Sequence, residues 1–241
     1  MKRRGENGPP RKEAVRRLRG EAFATPENMD SRLSEWLTVI YGHARPRPHL
    51  VIIPSRCALL VVDMLRYFAH PRGRFYLPST GAIVPRIGKL LELWRNAGRT
   101  VVFTRHCHRD PDDLGMLGRF FGDHIGCGEE DSKIIRELRP LPAERVFRKN
   151  TYDAFHGTGL DEFLEGEGIE QVLVTGVLTQ LCCETTARSA FVRGYEVYVP
   201  ADGLTTSSEA LHVGSLTGLA TGFAVITSTE AVCGEDGNDG D

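Results

Sequence analysis

The sequence predicts an α/β fold, a three-layer sandwich in which a six-stranded, mostly parallel sheet lies between helices. The chain has 241 residues, of which 41% are hydrophobic, which is enough to build one substantial core. Short apolar segments alternate with segments of helical period, as in βαβ units. The run at residues 57–62 is apolar without interruption, which is typical of a strand buried on both faces of a parallel sheet.

The predicted elements follow one another from residue 57 to residue 227, and we find no internal repeat. Crossovers between parallel strands are right-handed, so we expect the strand order 3-2-1-4-5-6, the Rossmann-type arrangement. Strands are predicted at residues 57–62, 99–106, 145–149, 171–176, 196–200 and 223–227, with helices at 83–96, 160–167, 179–193 and 208–221.

The two ends of the chain differ in charge from its body. Residues 1–20 hold eight Lys or Arg against two Glu, whereas the net charge of the whole chain is −2. We expect residues 1–50 to form a basic extension, partly disordered or packed on a neighbouring subunit, residues 51–232 to form one domain, and residues 233–241 to form an acidic tail. The alternative for the extension is an electrostatic arm, but without interleaved aromatic residues we expect no nucleic-acid or membrane partner.

The six cysteines, at positions 57, 107, 127, 182, 183 and 233, show no CxxC pair and no regular spacing. We therefore expect neither a disulfide framework nor a structural zinc site. The N-terminus lacks the apolar region of a secretory signal, and the longest apolar run is too short to cross a bilayer. A cytoplasmic location is the expectation.

Cys182 lies where a reactive thiol is favoured, just after the fourth predicted strand. With Thr179 as the N-cap of the following helix and Gly194 as its stop, Cys182 falls in the first helical turn. Backbone N–H groups and the helix dipole there favour thiolate over thiol. The alternative is that Cys182 and Cys183 are small buried hydrophobic residues, the usual fate of a free cysteine.

An acid and a cation also stand at strand ends. Asp63 follows the first predicted strand and Lys149 closes the third. Since parallel strands end at one edge of the sheet, and ligands bind where the winding reverses, we expect Asp63 and Cys182 to share a crevice between strands one and four. A cysteine hydrolase needs a nucleophilic thiol, a proton carrier and a fixed charge, which these three residues supply.

Four segments of the chain carry a family resemblance, and they read ALLVVDMLRYF, VVFTRHCH, FRKNTYDAFHGTGLDEFL and VTGVLTQLCCETTARSAF. On these motifs the chain resembles the isochorismatase-like cysteine hydrolases, which include nicotinamidases, N-carbamoylsarcosine amidases and ureidoacrylate amidohydrolases, over about residues 55–230. The resemblance implies a catalytic triad of Asp63, Lys149 and Cys182. It also implies a cis peptide between Val177 and Leu178 and an oxyanion hole formed by the N–H groups of Leu178 and Cys182.

The pocket is expected to be lined by residues at positions that the family uses for substrate. Nicotinamidases carry an Asp-x-His metal motif where this chain has His106 and His108, with His124 as a further candidate ligand. Because the Asp is missing, we expect these histidines to hydrogen-bond the substrate, with no metal and no cofactor. The predicted substrate-binding residues are Phe68, Arg105, His106, His108, Tyr152 and Phe155.

Cys182 in the register of the family's Gly-x-x-Thr-x-x-Cys motif favours hydrolysis of a C–N bond in a small amide, ureido or carbamoyl substrate, through a thioester. One alternative is vinyl-ether hydrolysis of the isochorismatase type, which uses no cysteine nucleophile. Another is a non-catalytic, redox-sensitive oligomeric protein that keeps the fold. We expect a homo-oligomer with a small-molecule substrate.

Overall fold

A parallel sheet with flanking helices forms the centre of the protein, as the sequence predicts. The computed structural model describes residues 21–45 and 47–235. The strand order is β3-β2-β1-β4-β5-β7, which confirms the predicted order, and the short strand β6 pairs with β4. The strands are β1 Cys57–Val62, β2 Val101–His106, β3 Arg145–Lys149, β4 Gln171–Val177, β5 Glu196–Pro200, β6 Leu204–Thr205 and β7 Val225–Thr227.

Helices follow most of the strands. In the longest, α3, Ile83, Ile87 and Trp94 recur at helical spacing and are buried on the side that faces the sheet. Gly98, just beyond its end, adopts a φ of 64° that an L-residue rarely takes. The helices are α1 Met29–Tyr41, α2 Arg66–Ala69, α3 Thr80–Asn96, α4 Gly115–Phe121, α5 Leu160–Gly166, α6 Glu184–Val192, α7 Glu209–Gly222 and α8 Thr229–Glu235.

The two central strands, β1 and β4, are buried along their whole length. Their register pairs Val62 with Gly176 at the carboxyl ends of both strands. A Cβ at Gly176 would lie 2.1 Å from the carbonyl oxygen of Val62, and the φ of Gly176 is 110°. Only glycine allows so close an approach, so Gly176 sets how near the two strand ends come.

Helix α1 belongs to the segment before the predicted domain, and it packs on α7. Trp36 is buried and its indole N–H donates to Glu209 Oε1 at 2.7 Å, while the Tyr41 hydroxyl donates to the carbonyl of Ile226. Residues 21–45 thus pack on the core of their own chain. The first 20 residues of the expected extension (residues 1–50), and most of the expected acidic tail, lie outside the described residues.

A disulfide joins Cys107, which follows β2, to Cys127 in the connection leading to β3. The cysteine spacing predicts no disulfide framework, and it does not predict this single bond. The backbone N–H of Cys127 also donates to the carbonyl of His108, so the same two segments are hydrogen-bonded as well. Over the described residues, every helix is too short or too polar to traverse a lipid bilayer.

Candidate active site

Asp63 lies at the end of β1 in a conformation that few non-glycine residues adopt. Its φ is 49°, in the left-handed region, where the backbone of a residue other than glycine is strained. Thr104, on the neighbouring strand β2, holds it there: the Asp63 N–H donates to Thr104 Oγ1 at 3.1 Å, and the Thr104 hydroxyl donates to Asp63 Oδ1 at 2.7 Å. Both residues are buried. The strained backbone directs the Asp63 carboxylate to the carboxyl edge of the sheet, where β1 ends.

Lys149, at the end of β3, forms a buried ion pair with Asp63. Its Nζ lies 2.7 Å from Asp63 Oδ2, 2.9 Å from the Thr151 carbonyl oxygen to which it donates, and 3.4 Å from His106 Nδ1. Burial tends to lower the pKa of Lys149, but the carboxylate of Asp63 raises it overall. Burial tends to raise the pKa of Asp63, and Lys149 leads the effects that lower it overall. The pair is therefore charged, a cation next to an anion.

Cys182 completes this group. The Cys182 sulfur, an Asp63 carboxylate oxygen and a His106 ring nitrogen all lie within 4.8 Å of one another. Burial raises the pKa of the Cys182 thiol to about 12; Lys149 opposes that shift and Asp63 adds to it. The thiol is therefore protonated near neutral pH. The expected thiolate stabilisation at a helix N-terminus is outweighed by removal of the sulfur from water.

The turn that carries Cys182 differs from the predicted helix start. Residues Thr179–Cys183 form a π-helical turn, and α6 begins only at Glu184. Thr179 is not an N-cap, because its side-chain oxygen lies 2.9 Å from His212 Nδ1, on α7, instead of bonding the helix backbone. A cis peptide joins Val177 and Leu178, at the position that the resemblance implies. π turns of this kind occur frequently at functional sites.

The adjacent Cys183 faces away from the ion pair. It is fully buried, and its thiol lies 3.9 Å from the carbonyl oxygen of Thr175, inside β4. Burial raises the pKa of Cys183 well above its usual value. Cys183 therefore serves to pack the core. Cys182 is the cysteine that lies beside Asp63 and Lys149.

Cys182 lies at the base of a cavity of about 170 Å³. The predicted substrate-binding residues Phe68, His106, His108 and Tyr152 contribute to its wall. The cavity is mostly apolar, and its aromatic side chains include Tyr67 and Phe68 from α2 and Phe121 from α4. The described lining residues are Tyr67, Phe68, Phe75, His106, His108, Leu117, Phe121, Asp123, His124, Ile125, Tyr152, Leu178, Leu181 and Cys182.

Two of the predicted substrate-binding residues do not line this cavity. Phe155 is buried elsewhere, with its ring stacked on Tyr195 at 5.8 Å and the Arg193 guanidinium 4.8 Å from its centre. Arg105 alternates along β2 with Thr104 and His106, so its side chain points to the opposite face of the sheet. The placement of these two residues therefore does not support a role in substrate binding.

Three histidines, His106, His108 and His124, lie together in the wall of the cavity. His106 Nε2 is 3.2 Å from His108 Nε2, and the rings of His108 and His124 are 6.3 Å apart. Burial, with Lys149 adding to it, lowers the pKa of His106 to about 3, so its ring is neutral. Among described residues, Asp63, His106 and Cys182 have metal-ligand spacing, but the ammonium of Lys149 lies beside this group. The group therefore does not fit a metal cation.

Several site residues are not found from the sequence alone. Thr104 shares a face of β2 with His106, and the period of two along a strand could have identified it. Asp123 comes from the connection after β2, whose path the sequence does not reveal; the neighbouring His124 is named from the sequence as a candidate ligand, but its position is not predicted. Asp123 accepts a hydrogen bond from the Tyr67 hydroxyl at 2.9 Å, which ties that connection to the cavity wall.

Comparisons with known proteins agree with this geometry. Residues 57–231 match the model of the isochorismatase domain. Nicotinamidase 3 of Arabidopsis thaliana is 42% identical over 177 residues, covering 72% of this chain and 85% of that protein. The ureidoacrylate amidohydrolase RutB of Pseudomonas savastanoi pv. phaseolicola is 29% identical and covers 79% of this chain and 87% of its own length.

Solved structures show the same relationship. A cysteine hydrolase from Pseudomonas syringae pv. phaseolicola 1448A superposes with a TM-score of 0.75 at 32% identity, covering 78% of this chain and 95% of that chain. The matched region contains both central strands and all three residues of the buried group, Asp63 after β1, Lys149 at the end of β3 and Cys182 after β4. The chain belongs to the isochorismatase family of hydrolases, which includes enzymes that act on amides.

Proposed function

We propose that this protein hydrolyses the C–N bond of a small amide, with Cys182 as nucleophile and a thioester as intermediate. The observation that carries the proposal is the buried group of Asp63, Lys149 and Cys182 at the base of the cavity. A thiol, a proton acceptor and a fixed cation in mutual reach are the parts that nucleophilic hydrolysis of an amide requires.

The first step transfers a proton. Since the resting thiol is protonated, Asp63 takes its proton as the sulfur attacks the amide carbon, and Lys149 stabilises the negative charge that results. The tetrahedral intermediate collapses as Asp63 returns that proton to the departing amine. Water then attacks the thioester, with Asp63 accepting its proton and returning it to the sulfur as the carboxylic acid leaves.

The negative charge on the carbonyl oxygen needs donors of its own. We assign this role to the backbone N–H groups of Leu178 and Cys182, which belong to two residues that line the cavity. Loss of one such donor typically costs roughly a hundredfold or more in rate. We expect His106 and His108, which line the same wall, to contact the rest of the substrate.

The cavity wall favours an uncharged substrate with a flat ring. Phe68, Phe75 and Tyr152 offer aromatic faces, and no Arg or Lys is found among the described lining residues. A substrate carboxylate would therefore lose its hydration without gaining a cationic partner. A neutral aromatic amide fits better than a carbamoyl amino acid, and nicotinamide, the substrate named for the Arabidopsis relative, is the first compound to test.

The two alternatives make different demands on the same residues. Vinyl-ether hydrolysis of the isochorismatase type needs no cysteine, so it leaves the position of Cys182 beside Asp63 unexplained. A non-catalytic binding protein has no use for a buried ion pair below the cavity, since such pairs contribute little to stability. The first alternative predicts that Cys182 is dispensable for turnover, and the second predicts no turnover at all.

The test compares two neighbouring cysteines. Ammonia release from nicotinamide, and then from a panel of amides and ureas, is measured for the wild type, Cys182→Ala and Cys183→Ala. We expect Cys182→Ala to be inactive and Cys183→Ala to keep its activity, and mass spectrometry of the acid-quenched wild type to show an acyl group on Cys182. Turnover by Cys182→Ala would overturn the proposal.

A further inference from the structure

The π turn that carries Cys182 is held by a histidine outside the buried catalytic group. His212, on α7, places Nδ1 2.9 Å from the side-chain oxygen of Thr179, and both residues are completely buried. The Ser215 hydroxyl, on the same helix, donates to Glu184 Oε2 at 2.6 Å, and its oxygen also lies 3.3 Å from the Thr179 carbonyl oxygen. One helix therefore holds both the side chain and the backbone of Thr179.

The segment before the matched family domain covers this histidine. The ring of Trp36, on α1, lies 4.6 Å from the ring of His212, and the ring of Phe23 lies 5.7 Å away. Phe23 and Trp36 also contact each other edge to face. The indole N–H of Trp36 is bonded to Glu209 in the first turn of α7. The imidazole is thus enclosed between the N-terminal segment and the turn.

We propose that His212 is a positioning residue for hydrolysis, which fixes the Leu178 to Cys182 turn through Thr179, and that α1 keeps its ring in place. The proposal rests on the function proposed above. Thr179 directly follows Leu178 and precedes Cys182 by three residues, so its displacement moves the sulfur and both assigned oxyanion donors together. Misplacement of reacting groups by about 1 Å can cost roughly a hundredfold in rate.

The ring has the properties that this role requires. Its enclosure lowers the pKa of His212 to about 3, against an opposing effect of the Ala201 carbonyl, so the ring is neutral at working pH. In a neutral imidazole one nitrogen accepts, and the Thr179 hydroxyl can donate to it. An asparagine at position 212 carries an oxygen near the position of Nδ1, whereas a leucine of similar size carries no polar atom.

The test uses this matched pair. His212→Asn and His212→Leu both lose the ring packed against Trp36, and we expect both to melt at a lower temperature. Only the asparagine keeps a partner for Thr179. We expect kcat for nicotinamide to fall about tenfold in His212→Leu and to recover to within about threefold in His212→Asn, with little change in KM in either. Equal kcat values in the two variants would overturn the proposal.

A second pair keeps the imidazole and changes its partner. Thr179→Val removes the hydroxyl and should lower kcat about tenfold, whereas Thr179→Ser keeps it and should recover most of the activity. Leu211→Ala, an exposed position beside His212, is the control and should match the wild type. If Thr179→Val and Thr179→Ser have the same kcat, the positioning role proposed for His212 is wrong. If Cys182→Ala also turns over, the proposed function itself has failed, so the two failures are distinguishable.

Discussion

The Nζ of Lys149 lies 2.7 Å from Oδ2 of Asp63, and neither side chain is accessible to solvent. Removing one member of such a pair leaves the other charge buried and alone, which typically costs about 3–5 kcal/mol of stability. Replacing both members by neutral groups leaves no such charge. The energetic role of the pair and its chemical role can therefore be separated.

We expect Lys149→Met to lose activity and about 3–5 kcal/mol of unfolding free energy, because Asp63 is left without a cation. The double variant Asp63→Asn with Lys149→Met should regain most of that stability and none of the activity. Urea unfolding and ammonia release on the same preparations measure both effects. A double variant no more stable than Lys149→Met would contradict the expectation.

The reactivity of the Cys182 thiol should depend on pH in a way set by its neighbours. Because burial raises its pKa to about 12, alkylation by iodoacetamide should keep rising with pH across roughly pH 7–10, without a plateau. Asp63 is one of the groups that raise this pKa. Asp63→Asn should therefore alkylate faster at about pH 8 while losing turnover. An unchanged alkylation rate in this variant would show that Asp63 does not act on the thiol.

Gly176 offers a test of how closely the strand ends must approach. Gly176→Ala places a methyl group 2.1 Å from the Val62 carbonyl oxygen, so we expect a loss of more than about 3 kcal/mol and a large loss of activity. Gly98→Ala is the matched control. Its φ is also positive, but nothing lies within 4 Å of the added Cβ, so it should cost only about 1–2 kcal/mol. The unfolding free energies of both variants, measured by chemical unfolding, separate the cost of the steric clash from the cost of a positive φ in an alanine.

The disulfide between Cys107 and Cys127 closes a segment that includes Phe121 and His124, two lining residues. Replacing both cysteines by alanine should cost roughly 3 kcal/mol and raise KM, because the cavity wall becomes less ordered. The effect on kcat should be small, since neither cysteine lines the cavity. Dithiothreitol should reproduce the change in the wild type and have no effect on the double variant.

Metal removal should leave the reaction intact. The position of the aspartate in the Asp-x-His metal motif is occupied by His106, and the ammonium of Lys149 lies 3.4 Å from its Nδ1. A cation bound there would be repelled by the charge of Lys149. We expect the protein to keep its activity after chelation and dialysis, with metal content followed by mass spectrometry. Loss of activity that Zn²⁺ or Fe²⁺ restores would contradict this.

The strand-end residues can be predicted from the sequence because each lies at or after the end of a predicted strand. Parallel strands end at one edge of the sheet, so Asp63, Lys149 and Cys182 converge without any knowledge of the loops. The local structure at Thr179 cannot be predicted in this way. A threonine before a helix usually caps it, whereas here its oxygen bonds a histidine 33 residues later in the chain.

The pocket is less predictable than the buried group, for a physical reason. An aromatic residue after a strand is equally suited to a cavity wall and to a core, and Phe155 packs with Tyr195 instead of lining the cavity. The opposite wall comes from the connection between β2 and β3, where irregular structure carries little periodic signal. Contacts between segments distant in the sequence, such as Tyr67 with Asp123, determine its path.

Helix α1 precedes the region that matches the family model, yet Trp36 and Ile40 are buried inside the molecule. The matched region is therefore smaller than the unit that folds here. A recombinant product trimmed to residues 57–231 would expose the faces of α7 and β7 that this helix covers, and would be prone to aggregate. Anyone engineering or transplanting this protein should begin upstream of Phe23.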